Sequence, residues 1–380
     1  MGISLIPSIT EIYLCDPTGV RIECLDYITD FEYAKVFNNP APFRLKLPSK
    51  FDRSKIRLDN IVEIWRGFGP GTLKLDYCGF VRAWLFADDA GQEYTELYGL
   101  SCMELMKRRI VKDYAGSAPA DMTDHADDMI KAIAKDQLGA DTTAVRDLTS
   151  VGGGFTIQAD LADGQSITKG FAYKNVLEIC QEIAAASFQA GTEVYFDIVP
   201  VVSSSPTGSL SFQLQTFTDQ RGYDRTWDSS APAFIGTDWG NLENGALEYD
   251  YSEEINYVYT LGQGEGLDRE IVEAYDTTRM GLSIWNRREG GKDARNIAYG
   301  DTAALTGEAN TFLAENKPKL KFSGDVIETP SFRYGLDWDF GDRITLLYAN
   351  IQKDAMIKNV LVQRNSSGQE SIKAGLLVEE

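Results

Sequence analysis

Carboxylates dominate the part of this chain that could do chemistry, an acidic band from Tyr223 to Glu254. The band holds eight acidic side chains against one basic side chain, Arg225. The eight are Asp224, Asp228, Asp238, Glu243, Glu248, Asp250, Glu253 and Glu254. Four aromatic residues lie among them: Trp227, Trp239, Tyr249 and Tyr251. Two carboxyl groups suffice for glycoside hydrolysis, and aromatic faces could stack on sugar rings.

Ordinary strand alternation explains the same band, because residues that face core and solvent in turn place aromatic and acidic side chains next to each other. With 57 acidic residues in the chain, some carboxylates lie close together by chance. We favour this structural explanation and keep a carbohydrate-binding or carbohydrate-cleaving β-protein as the alternative. Replacing Asp228, Asp238 or Asp250 would abolish sugar binding or turnover in the alternative and leave a structural protein unaffected.

His125 is the only histidine, so a nucleophile of the Ser-His-Asp type would depend on it. The chain has no Gly-x-Ser-x-Gly nucleophile elbow. Asp124, Asp127 and Asp128 flank the histidine at a predicted helix start, where carboxylates interact favourably with the helix dipole. They also offer too few defined ligands for a metal. We therefore predict no catalytic residues, no metal ligands and no enzyme activity.

Two glycine-rich segments do not fit nucleotide binding. Gly262-x-Gly264-x-Gly266 follows a predicted strand, but the residues from Leu267 onward indicate another strand and not a helix, so we predict a hairpin turn. The run Gly152-Gly153-Gly154 lacks the Gly-Lys-Ser/Thr that holds phosphates. The sequence therefore predicts no cofactor.

Five cysteines, Cys15, Cys24, Cys78, Cys102 and Cys180, form no Cys-x-x-Cys pair. Their odd number and their positions inside strand-like or helix-like runs argue against a zinc site and against a redox motif. We predict buried, reduced thiols that pack as small apolar groups.

The net charge of −20 argues against capture of nucleic acid and against docking on anionic lipid. A channel lined with such charge would let DNA slide through without sticking. The basic pair Arg287-Arg288 could bind phosphate, but ion pairs with acidic residues of this or a neighbouring subunit are favoured. No apolar run approaches the roughly 18 residues of a membrane span, and the N-terminus lacks a secretory signal. We expect a cytosolic protein with no membrane partner.

The element pattern predicts an α+β fold that is mostly β, with two β-barrel-like domains and inserted small α+β domains. Residues 1–112 are predicted to form the N-terminal β-barrel. Residues 113–170 are predicted to form a helix and a mobile loop or arm. A small α+β module over 171–231 and a second β-barrel with a helix over 232–380 complete the division.

The clearest predicted helix runs from Asn175 to Gly191, with Asn175 as N-cap and Gly191 just past the end. A second helix, from Thr302 to Asn316, precedes the last strands. The stretch from Arg333 to Tyr348 contains Gly341-Asp342 and then alternates apolar and polar residues, which indicates a half-buried strand. Two further strands follow it, so the chain is predicted to end in a β-meander or barrel.

Several of these pieces, in this order, resemble the tail-hub proteins of long-tailed phages, also called tail-associated or baseplate hub proteins. The first pieces are GLSCMELMKRRIV after the early strands and the helix–strand unit LEICQEIAAASFQAGTEVYFDIV. Asp224-Arg225-Thr226 then matches the Asp-Arg-Ser/Thr of that family. The family segment that follows is matched by Gly240-Asn241-Leu242, Tyr249, Ser252, Asn256, Tyr257-Val258 and Gly262. The resemblance covers nearly the whole chain.

The resemblance implies a structural virion protein of the phage tail tip or baseplate, assembled in the host cytoplasm. Its copies would form a homotrimeric ring that joins the hexameric tail tube, or a distal tail protein, to a three-fold spike, tip or fibre protein. The ring would leave a channel for DNA ejection and for the tape-measure protein. Because the chain is short, we expect no fused fibre, lysozyme or peptidase domain. A tail-derived secretion device or gene-transfer particle would use the same hub.

Overall fold

The computed structural model describes residues 8–28, 30–69, 71–112, 121–170, 173–202 and 210–378. The chain forms two compact units. Unit 1 contains most of the chain up to residue 245 and the residues from 323 onward, and unit 2 consists mainly of residues 246–322. No helix within the described ranges is long and apolar enough to cross a membrane.

Strands make up most of the regular structure, and the predicted α+β, mostly β fold class is confirmed. The N-terminal elements are β1 (Ile9–Cys15), β2 (Arg21–Cys24), β3 (Asp30–Val36), β4 (Pro42–Pro48), β5 (Ile61–Gly67), β6 (Lys74–Asp89), β7 (Gln92–Ser101) and the short helix α1 (Glu104–Lys107). The middle elements are β8 (Asp121–His125), α2 (Ala126–Leu138), β9 (Phe155–Ile157), β10 (Ser166–Gly170), α3 (Val176–Gln189), β11 (Val194–Val201) and β12 (Ser211–Thr218).

The remaining elements follow in the same order along the chain. They are β13 (Asp224–Arg225), β14 (Phe234–Gly236), β15 (Leu242–Asp250), β16 (Tyr257–Leu261), β17 (Ile271–Tyr275), α4 (Thr277–Met280), β18 (Glu289–Asp293), α5 (Thr302–Glu315), β19 (Lys319–Val326), β20 (Arg343–Tyr348), β21 (Ile351–Arg364) and β22 (Glu370–Val378). The predicted final meander is therefore present as β20, β21 and β22, which pair in sequence.

One twelve-stranded sheet organises unit 1. Its main path is β13-β20-β21-β3-β4-β7-β6-β5-β1-β2, with β14 also paired to β20 and β22 to β21. The link between β3 and β21 joins the two ends of the chain, because Val36 pairs with Asn359 and Phe31 with Arg364. In the described residues the order of this sheet is open and does not close into a barrel.

This shared sheet differs from the expectation of one barrel at each end of the chain. Alternation of side chains is a local property of a strand, and it does not say which distant strand supplies the hydrogen-bonding partner. The sequence therefore predicted the strands and missed the pairing of β3 with β21. The four-domain division stays a prediction.

The core of the sheet follows from the two-residue period of its strands. In β4 the side chains of Phe43, Leu45 and Leu47 are buried, and the residues between them are partly exposed. Gly99 of β7 lies so close to β6 that a Cβ at this position would be 1.8 Å from the carbonyl oxygen of Phe80. Glycine is therefore required where the two backbones approach.

Helices α2 and α3 pack against the three-stranded sheet β11-β12-β9 of unit 1. Ile130 and Ile133 of α2, Ile179 and Ile183 of α3, and Leu214 of β12 belong to one buried cluster. The two helices, each apolar on one side, thus build a core with the sheet.

The predicted helix at Asn175 is confirmed, with bounds Val176–Gln189. The side-chain oxygen of Asn175 accepts a hydrogen bond from the backbone N–H of Leu177 at 3.0 Å, as an N-cap does. Gly191 follows the helix with a φ of +100°, a conformation that glycine adopts without strain.

The mobile loop or arm predicted within residues 113–170 is wrong for two stretches. β9 pairs in parallel with β12, and β10 pairs antiparallel with β8. These strands are three and five residues long, too short to show a clear alternation. Residues 113–120 of the predicted segment lie outside the described residues.

Unit 2 contains the three-stranded sheet β17-β16-β18 and the helix α5. Val258 of β16 packs with Ala309 and Leu313 of α5 in a small buried core. Asp301 caps the helix by accepting a hydrogen bond from the N–H of Ala304 at 3.0 Å. The predicted helix from Thr302 to Asn316 is confirmed and ends at Glu315.

Candidate interaction surfaces

Asp342 joins two motifs that carry the phage resemblance, the Gly-Asp turn and the Asp-Arg-Thr segment. Its buried carboxylate accepts hydrogen bonds from Nε of Arg225 at 2.6 Å and from the backbone N–H of Tyr223 at 2.7 Å. Burial raises the pKa of Asp342, although the Tyr223 N–H and the Arg225 guanidinium partly offset this effect. Strand β13 pairs with β20 at this point. These motif residues therefore hold two strands together.

Glu254 is the buried carboxylate of the acidic band, with 1% exposure. It accepts a hydrogen bond from Nδ2 of Asn286 at 3.1 Å, and its Oε1 lies 3.7 Å from a guanidinium nitrogen of Arg279. Asn256, another motif residue, accepts a hydrogen bond from the N–H of Arg288 at 2.9 Å. Glu254 and Asn256 thus fix the loop that carries Asn286 and Arg288.

The other carboxylates of the band are distributed over both units. Unit 1 contains Asp224, Asp228, Asp238 and Glu243, whereas unit 2 contains Glu248, Asp250 and Glu253. Most of them are exposed. Hydrogen bonds from the side chain and the backbone N–H of Thr226 lower the pKa of Asp224. The band is a set of solvated or locally hydrogen-bonded acids, as strand and turn residues commonly are.

Trp227, Phe234 and Trp239 form an exposed aromatic stack in unit 1. The ring of Phe234 lies 5.0 Å from that of Trp227 and 5.4 Å from that of Trp239. The two tryptophans are 52% and 53% exposed. Asp228 and Asp238 are next to them in the sequence. A carbohydrate-binding surface would need exposed aromatic rings of this kind. The other two aromatic residues of the acidic band, Tyr249 and Tyr251, lie in unit 2.

A buried ionic cluster links β3 and β6 to the C-terminal part of unit 1. Nζ of Lys35 lies 2.8 Å from Oδ1 of Asp76. Asp76 also accepts hydrogen bonds from the hydroxyls of Tyr33 and Tyr334, at 2.5 and 2.8 Å. Burial favours the neutral carboxyl, but Lys35 and Arg66 outweigh it and hold the pKa of Asp76 below its usual range.

Glu370, at the start of β22, accepts hydrogen bonds from Ser8 and from Arg66 of β5. The side chains of Arg66 and Glu370 are 7% and 15% exposed, so the pair is largely shielded from water. Sequence reasoning missed both this pair and the contact between Asp76 and Tyr334, which are 258 positions apart. No spacing rule relates residues at such separations.

His125 lies immediately before α2, at the predicted helix start. Its Nδ1 is 3.0 Å from the carbonyl oxygen of Gly164. Asp127 is buried and pairs with Lys131 at 2.7 Å, whereas Asp128 accepts hydrogen bonds from backbone N–H groups. These side chains attach a loop to the helix. Across the described ranges, no group of three or more His, Cys, Asp or Glu side chains is arranged to hold a metal ion.

The glycine segment after β16 is a hairpin turn, as predicted, because β16 and β17 pair antiparallel. Gly262 donates its N–H to the carbonyl oxygen of Glu270 at 2.8 Å. The expected ion pair is present for Arg287, whose Nε lies 2.6 Å from Glu289. Arg288 instead donates to backbone carbonyl oxygens.

Residues 10–375 match the protein family described as Siphovirus ReqiPepy6 Gp37-like protein. The chain belongs to this family. No curated protein matches it. The match to the family spans nearly all of the sequence, and so did the resemblance that was inferred from the motifs.

Solved structures of phage-type tail proteins share the fold of this Gp37-like chain. A tail protein from Neisseria meningitidis MC58 is 15% identical with a TM-score of 0.56, covering 98% of this chain and 97% of its own. The 43 kDa tail protein of prophage MuSo2 from Shewanella oneidensis is 11% identical with a TM-score of 0.55, covering 97% and 98%. Prophage tail protein gp18 from Listeria monocytogenes is 12% identical with a TM-score of 0.52, covering 97% and 94%. The predicted likeness to phage tail proteins is confirmed.

The cysteines of the Gp37-like chain are free thiols. Four are buried, as predicted, and Cys24 is exposed. The prediction of a buried thiol is wrong for Cys24, because β2 lies at the end of the sheet path and its residues are largely accessible. Burial raises the pKa of Cys180 and Cys15 well above the usual value, so these thiols stay protonated and unreactive.

Two surfaces of the Gp37-like chain expose runs of large apolar side chains. The first, which we call the arm, is the end of the β6–β7 hairpin and includes Trp84, Leu85 and Phe86, each at least 40% exposed. The second, which we call the anchor loop, runs from Gly281 to Arg288 and joins α4 to β18. Exposed apolar surface of this kind is typical of protein–protein contacts.

Proposed function

We propose that this protein is the hub of a phage tail tip or baseplate, a structural component without catalytic activity. Membership of a siphovirus family over residues 10–375 is the observation that supports this most directly. The shared fold with prophage tail proteins over nearly the full length of both chains supports it further. The buried ionic cluster and the Asp342 junction serve the fold, and they leave the exposed surfaces for assembly.

In this proposal three copies form a ring. One face of the ring accepts the hexameric tail tube or a distal tail protein, and the other accepts a three-fold spike, tip or fibre protein. Repeated head-to-tail contacts close into a ring when the rotation between copies is one third of a turn. A permanent interface of this class buries on the order of 2,000 Å² or more, which the exposed apolar arm and anchor loop would help to supply.

The channel of the ring passes the tape-measure protein and then DNA. The net charge of −20 supports passage without retention, because like charges on wall and phosphate repel each other. Assembly takes place in the host cytoplasm, and the protein ends up in the virion. The same geometry would serve a tail-derived injection device.

The oligomeric state of the purified full chain tests the proposal. Light scattering combined with particle averaging by electron microscopy should show a trimeric ring with a central hole wide enough for duplex DNA. The trimer should persist on dilution to low micromolar concentration. A stable monomer at high concentration in sedimentation equilibrium would contradict the hub.

The aromatic stack favours one second candidate, a carbohydrate-binding or carbohydrate-cleaving protein. Its two half-exposed tryptophans have acidic neighbours in Asp228 and Asp238. If this candidate is correct, Trp239→Ala and Asp238→Asn should each abolish binding to host-surface glycans on an array. A hub is indifferent to both changes, and its ring should form as before.

A further inference from the structure

The arm is an unpaired edge that carries apolar side chains. Strand β6 pairs with β5 only as far as Phe80, so residues 82–89 pair with β7 alone in the described part of the chain. Trp84, Leu85 and Phe86 are 40%, 44% and 49% exposed. Because consecutive strand residues point to opposite faces of a sheet, both faces of the hairpin expose apolar side chains here. An exposed apolar edge of this length invites pairing with another chain.

The arm is also acidic. Asp88, Asp89 and Glu93 surround its tip, and no basic residue lies between Trp84 and Glu96. Arg53 pairs with Glu93 at 3.0 Å and lies over the ring of Phe86, so Asp88 and Asp89 carry the free negative charge of the arm. Within the described ranges no ion pair reaches Asp88 or Asp89, so their charges are available to a partner.

The anchor loop presents the opposite charge. Leu282, Ile284 and Trp285 are 63%, 91% and 85% exposed. The loop contains two arginines and no acidic residue, and Arg287 already pairs with Glu289 at 2.6 Å. Arg288 donates to the carbonyl oxygens of Glu254 and Ser252 at 3.0 and 2.6 Å, and no carboxylate neutralises it among the described residues.

The anchor loop is held in shape although its apolar side chains project into solvent. Nδ2 of Asn286 donates to Glu254 at 3.1 Å and to the carbonyl oxygen of Arg279 at 3.0 Å. The N–H of Trp285 donates to the hydroxyl of Ser283 at 3.2 Å. A loop fixed in advance loses little entropy on binding, and tryptophan with arginine is the composition typical of interface hot spots.

We propose that the anchor loop of one copy docks on the arm of the next copy. The partner is a second copy of this chain because the two surfaces complement each other. Both expose apolar side chains, the arm carries Asp88 and Asp89 without an ion pair in the described residues, and the loop carries Arg288, which no described carboxylate neutralises. Since the two surfaces are different, the contact is head-to-tail and can repeat around a ring. This inference rests on the proposed trimeric hub and names the surfaces that would build it.

Two full-length variants test the contact. The arm variant Leu85→Ala/Asp89→Lys keeps its anchor loop, and the loop variant Ile284→Ala/Trp285→Ala keeps its arm. All four side chains are exposed, so both variants should melt like the wild type. Val145→Ala/Asp160→Lys, a pair of exposed residues elsewhere, is the matched control for the arm variant.

The mixing experiment distinguishes a head-to-tail contact from any other. Sedimentation equilibrium should show that each variant alone associates at least tenfold more weakly than the wild type, while the control stays trimeric. An equimolar mixture should form a heterodimer, because one intact loop meets one intact arm and the ring cannot close. If both variants formed trimers as stable as those of the wild type, the contact would be overturned and the proposed hub would remain supported. Weakened variants whose mixture forms no heterodimer would also overturn it. A monomeric wild type would overturn the hub together with the contact.

Discussion

At the scale of single residues, the carboxylates that matter most are the ones that are buried or largely shielded from water. Asp342 and Asp76 each collect hydrogen bonds from residues far away in the sequence, and each joins two separate segments of unit 1. An unpaired buried charge costs several kcal/mol, so these acids hold the fold only together with their cationic partners. By contrast, Asp228 and Asp238, which the sequence analysis considered for sugar binding or cleavage, are exposed.

We expect Asp76→Asn to destabilise the protein by about 3 kcal/mol at neutral pH, because it removes the nearer of the two carboxylates that face Lys35. The pKa of Asp76 is lowered in the folded state, so its contribution is present above the unfolded value of about 4 and is lost as the pH falls through the folded value. The stability difference between wild type and variant should therefore shrink below about pH 4. Urea unfolding over a pH series measures it.

The exposed Asp160→Asn is the control for this series and should change stability little at any pH. A difference between wild type and Asp76→Asn that stays constant from pH 7 to pH 3 would show that Asp76 is not held in its charged form by Lys35 and Arg66.

At the scale of elements, local chemistry determined what the sequence could predict. The N-cap at Asn175, the helix at Thr302 and the strand after Asp342 each have a signal within a few residues, and the structure confirms all three elements. The alternation within that strand is not confirmed, because Thr345 is buried together with Ile344 and Leu346. The pairing of β3 with β21 and the contact of Asp76 with Tyr334 have none, because hydrogen-bonding partners across such separations are chosen by the packing of the whole sheet. Within the anchor loop the sequence analysis considered a role for Arg287 and Arg288 at its end, and it assigned none to the exposed apolar residues Leu282, Ile284 and Trp285.

Gly99 shows how tightly the elements constrain each other, and we expect Gly99→Ala to destabilise unit 1 by about 3 kcal/mol. The added Cβ would meet the Phe80 carbonyl oxygen at 1.8 Å, so β6 and β7 must separate. Gly291→Ala in β18 is the matched control, since a Cβ there meets nothing within 4 Å. Urea unfolding should show a loss for the first variant and a change of less than about 0.5 kcal/mol for the second. Equal effects would mean that β6 and β7 are not held as close as the structure places them.

At the scale of the whole molecule, net charge distinguishes a hub through which DNA would pass from a protein that binds DNA. A DNA-binding protein neutralises phosphates with Lys and Arg and releases counterions, so its affinity falls as salt rises. This chain carries 37 basic residues against 57 acidic ones, and the balance has the opposite sign.

We therefore expect fluorescence anisotropy to detect no binding of the assembled protein to duplex DNA at physiological salt, even near 100 μM, a concentration at which typical non-specific binders are at least about half saturated. Lowering the salt should not create binding, because repulsion between like charges grows as screening weakens. Replacing Asp228, Asp238 and Glu243 by Lys supplies the control, since these exposed acids can reverse sign without disturbing a buried contact. If the affinity of the wild type for DNA rose steeply as salt was removed, the protein would have a basic surface that binds DNA. The proposed passage of DNA without retention would then be wrong.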